Sequence, residues 1–230
     1  VDARHFLRSL DRANSHPAHK DIPGPRLGYF GVLDERIDMD LIARLADAHA
    51  QWQIVLAGPL CGIGRDALPR RENIHYLGPQ PYEAMPQFLA GWDVCLLPFA
   101  VNEATHSHCP PMTLEYMAAE LPIVGTPLPD VAGLHGDIVT TAGDAQAFIE
   151  ACEAALLAAP QEHAATIDRM RKAVASTSWD ATAAHVSTLL AETPRRSGNH
   201  RSADGERDAG WHAGAMRGMR FAISTAGGAA

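Results

Sequence analysis

The sequence predicts an α/β fold: a doubly wound, parallel, Rossmann-like sheet in a single domain, followed by a disordered C-terminal tail. Three observations predict it. Apolar runs of strand length alternate with segments of helical period. Several of these runs, such as QIVLAG (53–58) and DVCLLPF (93–99), are apolar after their first residue rather than alternating, which marks strands buried on both faces. Strand-like runs also end on glycine, at Gly31, Gly58 and Gly78, where a chain must turn out of a sheet.

The elements follow in order. Residues 1–25 are read as an interdomain linker, because 11–25 is polar and holds three prolines. RLGYFGV (26–32) is the first buried strand. Met39, Ile42, Leu45 and Ala46 recur at helical spacing, so 39–49 is an amphipathic helix. Strands follow at 53–58 and 73–78. Residues 81–92 form a short helix that Pro86 shortens or kinks. The fourth strand is 93–99, the next helix 113–119, and the fifth and sixth strands 122–126 and 137–142. Three Ala-rich helices at 143–159, 160–175 and 179–192 complete a domain over 26–192. Residues 193–230 are polar and Gly-rich without a period, and are read as a flexible tail. The last twelve, MRFAISTAGGAA, have the pattern of a strand and a glycine turn.

With 230 residues and 47% hydrophobic content, the chain suffices for one sizeable core. No run is long and apolar enough for a transmembrane helix, and the first residues lack the apolar core of a signal peptide. Val1 is not an initiator Met, which suggests a start inside a longer protein. The cysteines 61, 95, 109 and 152 are scattered without a CxxC pair and read as reduced thiols of a cytoplasmic protein. Net charge is −8. From residue 194 on, six Arg against three Asp or Glu give +3, which leaves −11 on residues 1–193. An acidic body is the wrong partner for nucleic acid, and the basic tail allows at most peripheral contact with an anionic membrane.

The chemistry concentrates at 99–115, where a strand empties into a loop and the loop feeds a helix opened by prolines. Glu115 lies in that helix's first turn. A carboxylate there suits the two hydroxyls of a ribose, and the helix start suits phosphate. A first-turn Glu is also common for its electrostatics alone. Gly31 would let a phosphate approach the backbone, or simply let the chain turn. Arg36, within Asp34-Glu35-Arg36, would reach a diphosphate or remain a solvated loop charge. His106, His108 and Cys109 have the atoms of a zinc site but lack a visible fourth ligand, so a polar loop is expected and no metal. The absence of G-x-G-x-x-G and of a Walker sequence disfavours dinucleotide enzymes and NTPases.

Taken together, these pieces resemble the C-terminal, nucleotide-sugar-binding half of a glycosyltransferase of the B-type (two-Rossmann) fold, of the retaining family 4 kind. VDARHF resembles the end of the linker between the halves, and RLGYFGVLDERIDMDLI the first strand and helix. NIHYLGPQPYEAMPQFLAGWDVCLLPF resembles the central segment, TLEYMAAELPIVGTPLPDV the ribose-binding helix and next strand, and Ser178-Trp179-Asp180 the start of the closing helix. The resemblance implies a nucleoside-diphosphate sugar as substrate, no cofactor or metal, and an N-terminal acceptor domain outside this chain. It assigns Gly31 to the diphosphate and Leu77, Gly78, Pro79 and Gln80 to the base edge. Asn102, Glu103 and Thr105 fall beneath the donor sugar, and Thr113, Leu114 and Glu115 at the ribose.

This chain departs from the usual S-P-T-K-T-x-E-Y-x-A-A-G. Met112 stands where relatives carry the lysine that neutralises the diphosphate. Glu120 stands where they carry a helix-ending glycine, and Ser107 where they carry the first Glu of E-x7-E. These departures define an alternative reading: a catalytically degenerate nucleotide-binding or interaction domain. A nucleotide-sugar epimerase of the same two-domain fold would need catalytic groups from both halves.

Overall fold

The computed structural model describes residues 1–177 and 179–192. The tail expected at 193–230, with its strand-like end, lies outside the described residues, as does Ser178.

Six parallel strands form one sheet in the order β3-β2-β1-β4-β5-β6. They are β1 Arg26–Phe30, β2 Gln53–Ala57, β3 Ile74–Gly78, β4 Val94–Leu97, β5 Ile123–Gly125 and β6 Thr140–Thr141. β2 and β4 are buried at every position, as their uninterrupted apolar runs predict. β1 pairs with β2 from Arg26↔Gln53 to Phe30↔Ala57, and with β4 at Leu27↔Val94 and Gly28↔Cys95. The order reverses between β1 and β4. That switch point opens a crevice at the carboxyl ends of the strands, where ligands bind in folds of this class.

The helices are α1 Ala3–Phe6, α2 Met39–Ala48, α3 Met85–Ala90, α4 Met112–Ala118, α5 Pro129–His135, α6 Ala145–Leu157, α7 Pro160–Ser176 and α8 Trp179–Glu192. α2 starts at Asp38, whose carboxylate accepts from the Leu41 N–H at 2.8 Å, and it buries Leu41, Ile42, Leu45 and Ala46. Pro86 shortens the expected 81–92 helix rather than kinking it, since α3 starts at Met85. It sits in the helix's first turn, where a missing N–H costs no intrahelical bond, and a 3-10 turn, Tyr82–Ala84, precedes it. α5 is not expected from the sequence. Of its seven residues only Val131 is buried, and Gly133 interrupts it, so it shows no helical period. α4 ends on Glu120 at φ 58, a left-handed residue where glycine is usual. Its carboxylate pairs with Arg171 of α7 through two bonds of 2.7 and 3.0 Å, which ties the strained corner down.

Residues 1–25, read as a linker, are packed onto this body. Phe6 is fully buried, and Ser9, His19 and Ile22 are buried with it. The segment docks against α3 and the glycine after it: His16 stacks on Phe88 at 4.2 Å, and a Cβ on Gly91 would lie 2.2 Å from His19 Nδ1. Arg26 makes the packing possible for so polar a stretch. Its guanidinium donates to the carbonyls of Ile22 (2.7 Å), Gly91 (3.0 Å) and His19 (3.1 Å), so buried backbone acceptors are satisfied.

Two predictions follow from this packing. A Cβ at Gly28 would lie 2.0 Å from Cδ2 of the fully buried Trp92. Gly28→Ala is therefore expected to lower the unfolding free energy by about 3 kcal/mol, measured by urea denaturation. His19 is held neutral by burial and then by the charge of Arg26, which depress its pKa from 6.5 to about 4. Its contribution is complete above pH 6.5 and is lost as pH falls towards about 4. Between those limits the chain should lose on the order of 3 kcal/mol that His19→Gln does not lose, read as denaturation midpoints across the range.

Candidate functional site

Two glycines shape the carboxyl edge of the sheet. A Cβ at Gly58 would fall 1.7 Å from the Gly31 carbonyl oxygen, so only glycine lets the end of β2 press against the chain leaving β1. The Gly31 N–H donates to Ala57 O at 2.9 Å, and the Gly58 N–H to Gly78 O at 2.8 Å. Gly31 is itself crowded: a Cβ there would meet Tyr29 Oη at 2.6 Å and Met112 Cε at 3.0 Å. Close backbone approach is thus required at both positions by the protein's own packing. Met112 places an apolar methyl against the strand-end glycine that faces the switch point.

α4 is aimed by Tyr116. This fully buried phenol accepts from the Phe30 N–H at 2.9 Å and meets Trp92 edge-on at 6.4 Å, so the helix is fastened to the last residue of β1. Glu115, one position earlier, is half-buried beside that junction. Its carboxylate accepts from the Tyr82 hydroxyl at 2.9 Å. Burial raises its pKa, and the Tyr82 bond, the Val1 ammonium and His5 each oppose that rise. Thr113 is buried and Leu114 half-buried. The helix start is poor in donors: Pro110 and Pro111 have no N–H, and the Thr113 N–H is engaged by Pro110 O at 3.1 Å. A phosphate there would find fewer backbone donors than the sequence pattern suggests.

The remaining expected residues divide. In the 77–80 turn, Gly78 has φ 66 and Gln80 Nε2 donates to Leu77 O at 2.9 Å, while Pro79 is exposed. Asn102 and Glu103 are exposed, but Thr105 is fully buried. The Thr105 hydroxyl accepts from Asn102 N at 3.0 Å and donates to Ala100 O, while Asn102 Oδ1 accepts from Thr105 N at 3.2 Å. Thr105 therefore closes the loop from within. Arg36 is held by Asp34 through bonds of 2.5 to 3.0 Å. These bonds hold the Asp34 carboxyl below the usual range and raise Arg36. His108 packs edge-on against Phe99 at 4.8 Å, and burial lowers its pKa. Among the described residues no three His, Cys, Asp or Glu converge to hold a metal ion.

The sequence reading misses Arg65, Arg70 and Tyr82. A cleft of about 550 Å³ opens beyond β2 and β3, lined by Leu33, Gly58, Arg65, Arg70, Tyr76 and Gly78 among others. Tyr76 donates to Pro69 O at 3.0 Å and so pins the loop that carries both arginines, while Arg70 pairs with Asp66 at 3.2 Å. No motif spacing marks these residues. The only sequence signal is a basic loop segment, RDALPRR (65–71), which begins seven residues past the strand-ending Gly58.

A single six-stranded parallel sheet in this strand order, with helices between the strands, is the architecture of a Rossmann-like half-domain. More particularly, the profile of the Glycosyl transferases group 1 family matches residues 24–158, more than half of the chain, and the chain belongs to that family. TuaH of Bacillus subtilis (strain 168), named for teichuronic acid biosynthesis as a glycosyltransferase, is 27% identical over 157 residues, covering 66% of this chain and 39% of TuaH. Among solved structures, Anabaena HepE in complex with UDP and glucose superposes with a TM-score of 0.62 at 18% identity, over 84% of this chain and 55% of HepE. Sucrose-phosphate synthase of Thermosynechococcus elongatus superposes with a TM-score of 0.56 at 16% identity, over 79% of this chain and 50% of that one. The fold is thus that of one half of these larger chains. Among the described residues no helix is long and apolar enough to cross a membrane.

Tyr116→Phe tests how α4 is aimed. Losing the hydroxyl orphans the Phe30 N–H, and the cost is expected at about 1–3 kcal/mol in urea denaturation, with the Phe30 amide losing hydrogen-exchange protection.

Proposed function

We propose that this chain is the donor half of a nucleotide-sugar-dependent glycosyltransferase. Residues 26–192 bind a nucleoside-diphosphate sugar, and residues 1–25 lead in from an acceptor domain outside this chain. One observation carries the reading: Glu115 stands in the first turn of α4, fastened through Tyr116 to the end of β1 at the sheet's switch point. A carboxylate there stands at the crevice where ligands of this fold class bind, and it can accept from both hydroxyls of a ribose. The solved complex of HepE with UDP and glucose supports the same ligand class.

In the proposed reaction the bond between the anomeric carbon and the diphosphate oxygen breaks. A bond to an acceptor hydroxyl oxygen forms, and the hydroxyl proton is released. The donor side must stabilise charge developing on the leaving diphosphate. Arg65 and Arg70, which line the cleft beside the 77–80 turn, are cations that the described residues offer for this, and no metal is required. Gly31, Gly78, Pro79, Gln80, Asn102, Glu103, Thr113 and Leu114 form the surrounding surface, with Thr105 shaping the 102–105 loop from below. A cytoplasmic location, where nucleotide sugars are made, goes with this role.

A second reading is favoured by Met112 against Gly31 and by Arg36 held on Asp34: a degenerate domain that binds nucleotide weakly or serves as an interaction surface. Calorimetry with UDP, GDP and UDP-glucose separates the two. Binding is expected in the high micromolar to millimolar range, and no binding at millimolar ligand overturns the donor reading. Met112→Lys restores a cation beside Gly31 and should tighten UDP binding about tenfold.

A further inference from the structure

The turn proposed for the base edge and the carboxylate proposed for the ribose are joined by a single contact. Tyr82 follows the 77–80 turn and lies 33 residues before Glu115, and its hydroxyl donates to Glu115 Oε1 at 2.9 Å. The tyrosine is not a free rotor. Its ring stacks on His5, with centroids 4.9 Å apart and planes within 10°, and meets the buried Phe6 edge-on at 6.1 Å. His5 Nε2 also lies 3.3 Å from the Tyr82 carbonyl oxygen. The N-terminal segment thus fixes the phenol, and the phenol in turn fixes one oxygen of the carboxylate.

The chemistry of the pair is asymmetric. An ionised carboxylate only accepts hydrogen bonds, whereas a phenol can donate. Tyr82 occupies a lone pair of Oε1, and no other hydrogen bond reaches the carboxylate among the described residues. Oε2 takes no hydrogen bond from the described residues and can accept from a ligand. The groups facing the carboxylate are the Val1 ammonium, His5 and Tyr82, with Asp2 beside Tyr82.

We infer that Tyr82 is a positioning residue for nucleotide binding: it turns Glu115 so that Oε2 meets the ribose hydroxyls, and it couples the base-edge turn to the ribose carboxylate. This rests on the donor reading above and names the atom at which that site holds the ribose.

Two measurements test it, one of them free of ligand. In the unliganded chain, the Glu115 carboxyl is titrated by carbon-13 NMR. Removing a donor disfavours the carboxylate, so Tyr82→Phe should move the midpoint to higher pH, whereas a tyrosine that only packs would leave it in place. In the second, calorimetry near neutral pH compares UDP with 2′,3′-dideoxy-UDP. Tyr82→Phe is expected to weaken UDP about tenfold and to leave the dideoxy analogue within about twofold. His5→Phe, which keeps a stacked ring, should stay close to the parent, and His5→Ala should shift UDP in the same direction as Tyr82→Phe. Equal weakening of both nucleotides, or an unmoved Glu115 titration, overturns the inference. Failure of the parent chain to bind either nucleotide at millimolar concentration overturns the donor reading. An upward shift of the titration alongside that failure would confine the fault to the donor reading.

Discussion

Burial of β1 on both faces and both edges governs this molecule. The strand lies between β2 and β4, and its side chains must be apolar or absent wherever a neighbour presses in. Gly28 is the clearest case, since the Trp92 indole occupies the space a side chain would need. The same crowding continues past the strand's end, where the Gly31 carbonyl lies against Gly58. Because β1 cannot shift, whatever is bonded to its last residue is placed with equal rigidity. Tyr116 exploits this. One hydrogen bond to the Phe30 N–H converts the position of a central strand into the position of α4, and so of Glu115.

Charge at the carboxyl edge is arranged unlike its sequence pattern. The helix start has few free N–H groups, Met112 sets an apolar methyl beside Gly31, and Arg36 is engaged by a carboxylate two residues away. Positive charge instead stands on the loop after β2, held in place by the Tyr76 hydroxyl. A diphosphate drawn to this edge would be attracted from the β2–β3 side rather than from the α4 side.

The N-terminal segment links stability to the site. Arg26 satisfies the carbonyls that allow a polar stretch to pack, and His19 is neutral because that packing removes it from water. Further up the same segment, His5 and Phe6 hold the Tyr82 ring. A change that loosens residues 1–25 is therefore transmitted to the carboxylate, which the Val1 ammonium and His5 face.

Most of the fold was legible because its signals are local. Short apolar runs at 53–58 and 93–99, bounded by glycine or proline, have the length of strands covered on two faces, and the spacing of Ile42, Leu45 and Ala46 is that of one face of a helix. The first-turn place of Glu115 was legible for the same reason, whereas the end of α4 at Glu120 was marked only by the resemblance, as the place of a helix-ending glycine. α5 was not, because a helix with one buried residue carries no period. The packing of residues 1–25 was not, because its carbonyls are satisfied by Arg26 and its rings by α3, and composition does not record such partners. The bond from Tyr82 to Glu115, the closure of a loop by Thr105 and the capture of Arg36 by Asp34 share that character. Period and residue type decide which segments become strands and helices. Which hydroxyl reaches which carboxylate is decided by atoms that meet only after the chain has folded.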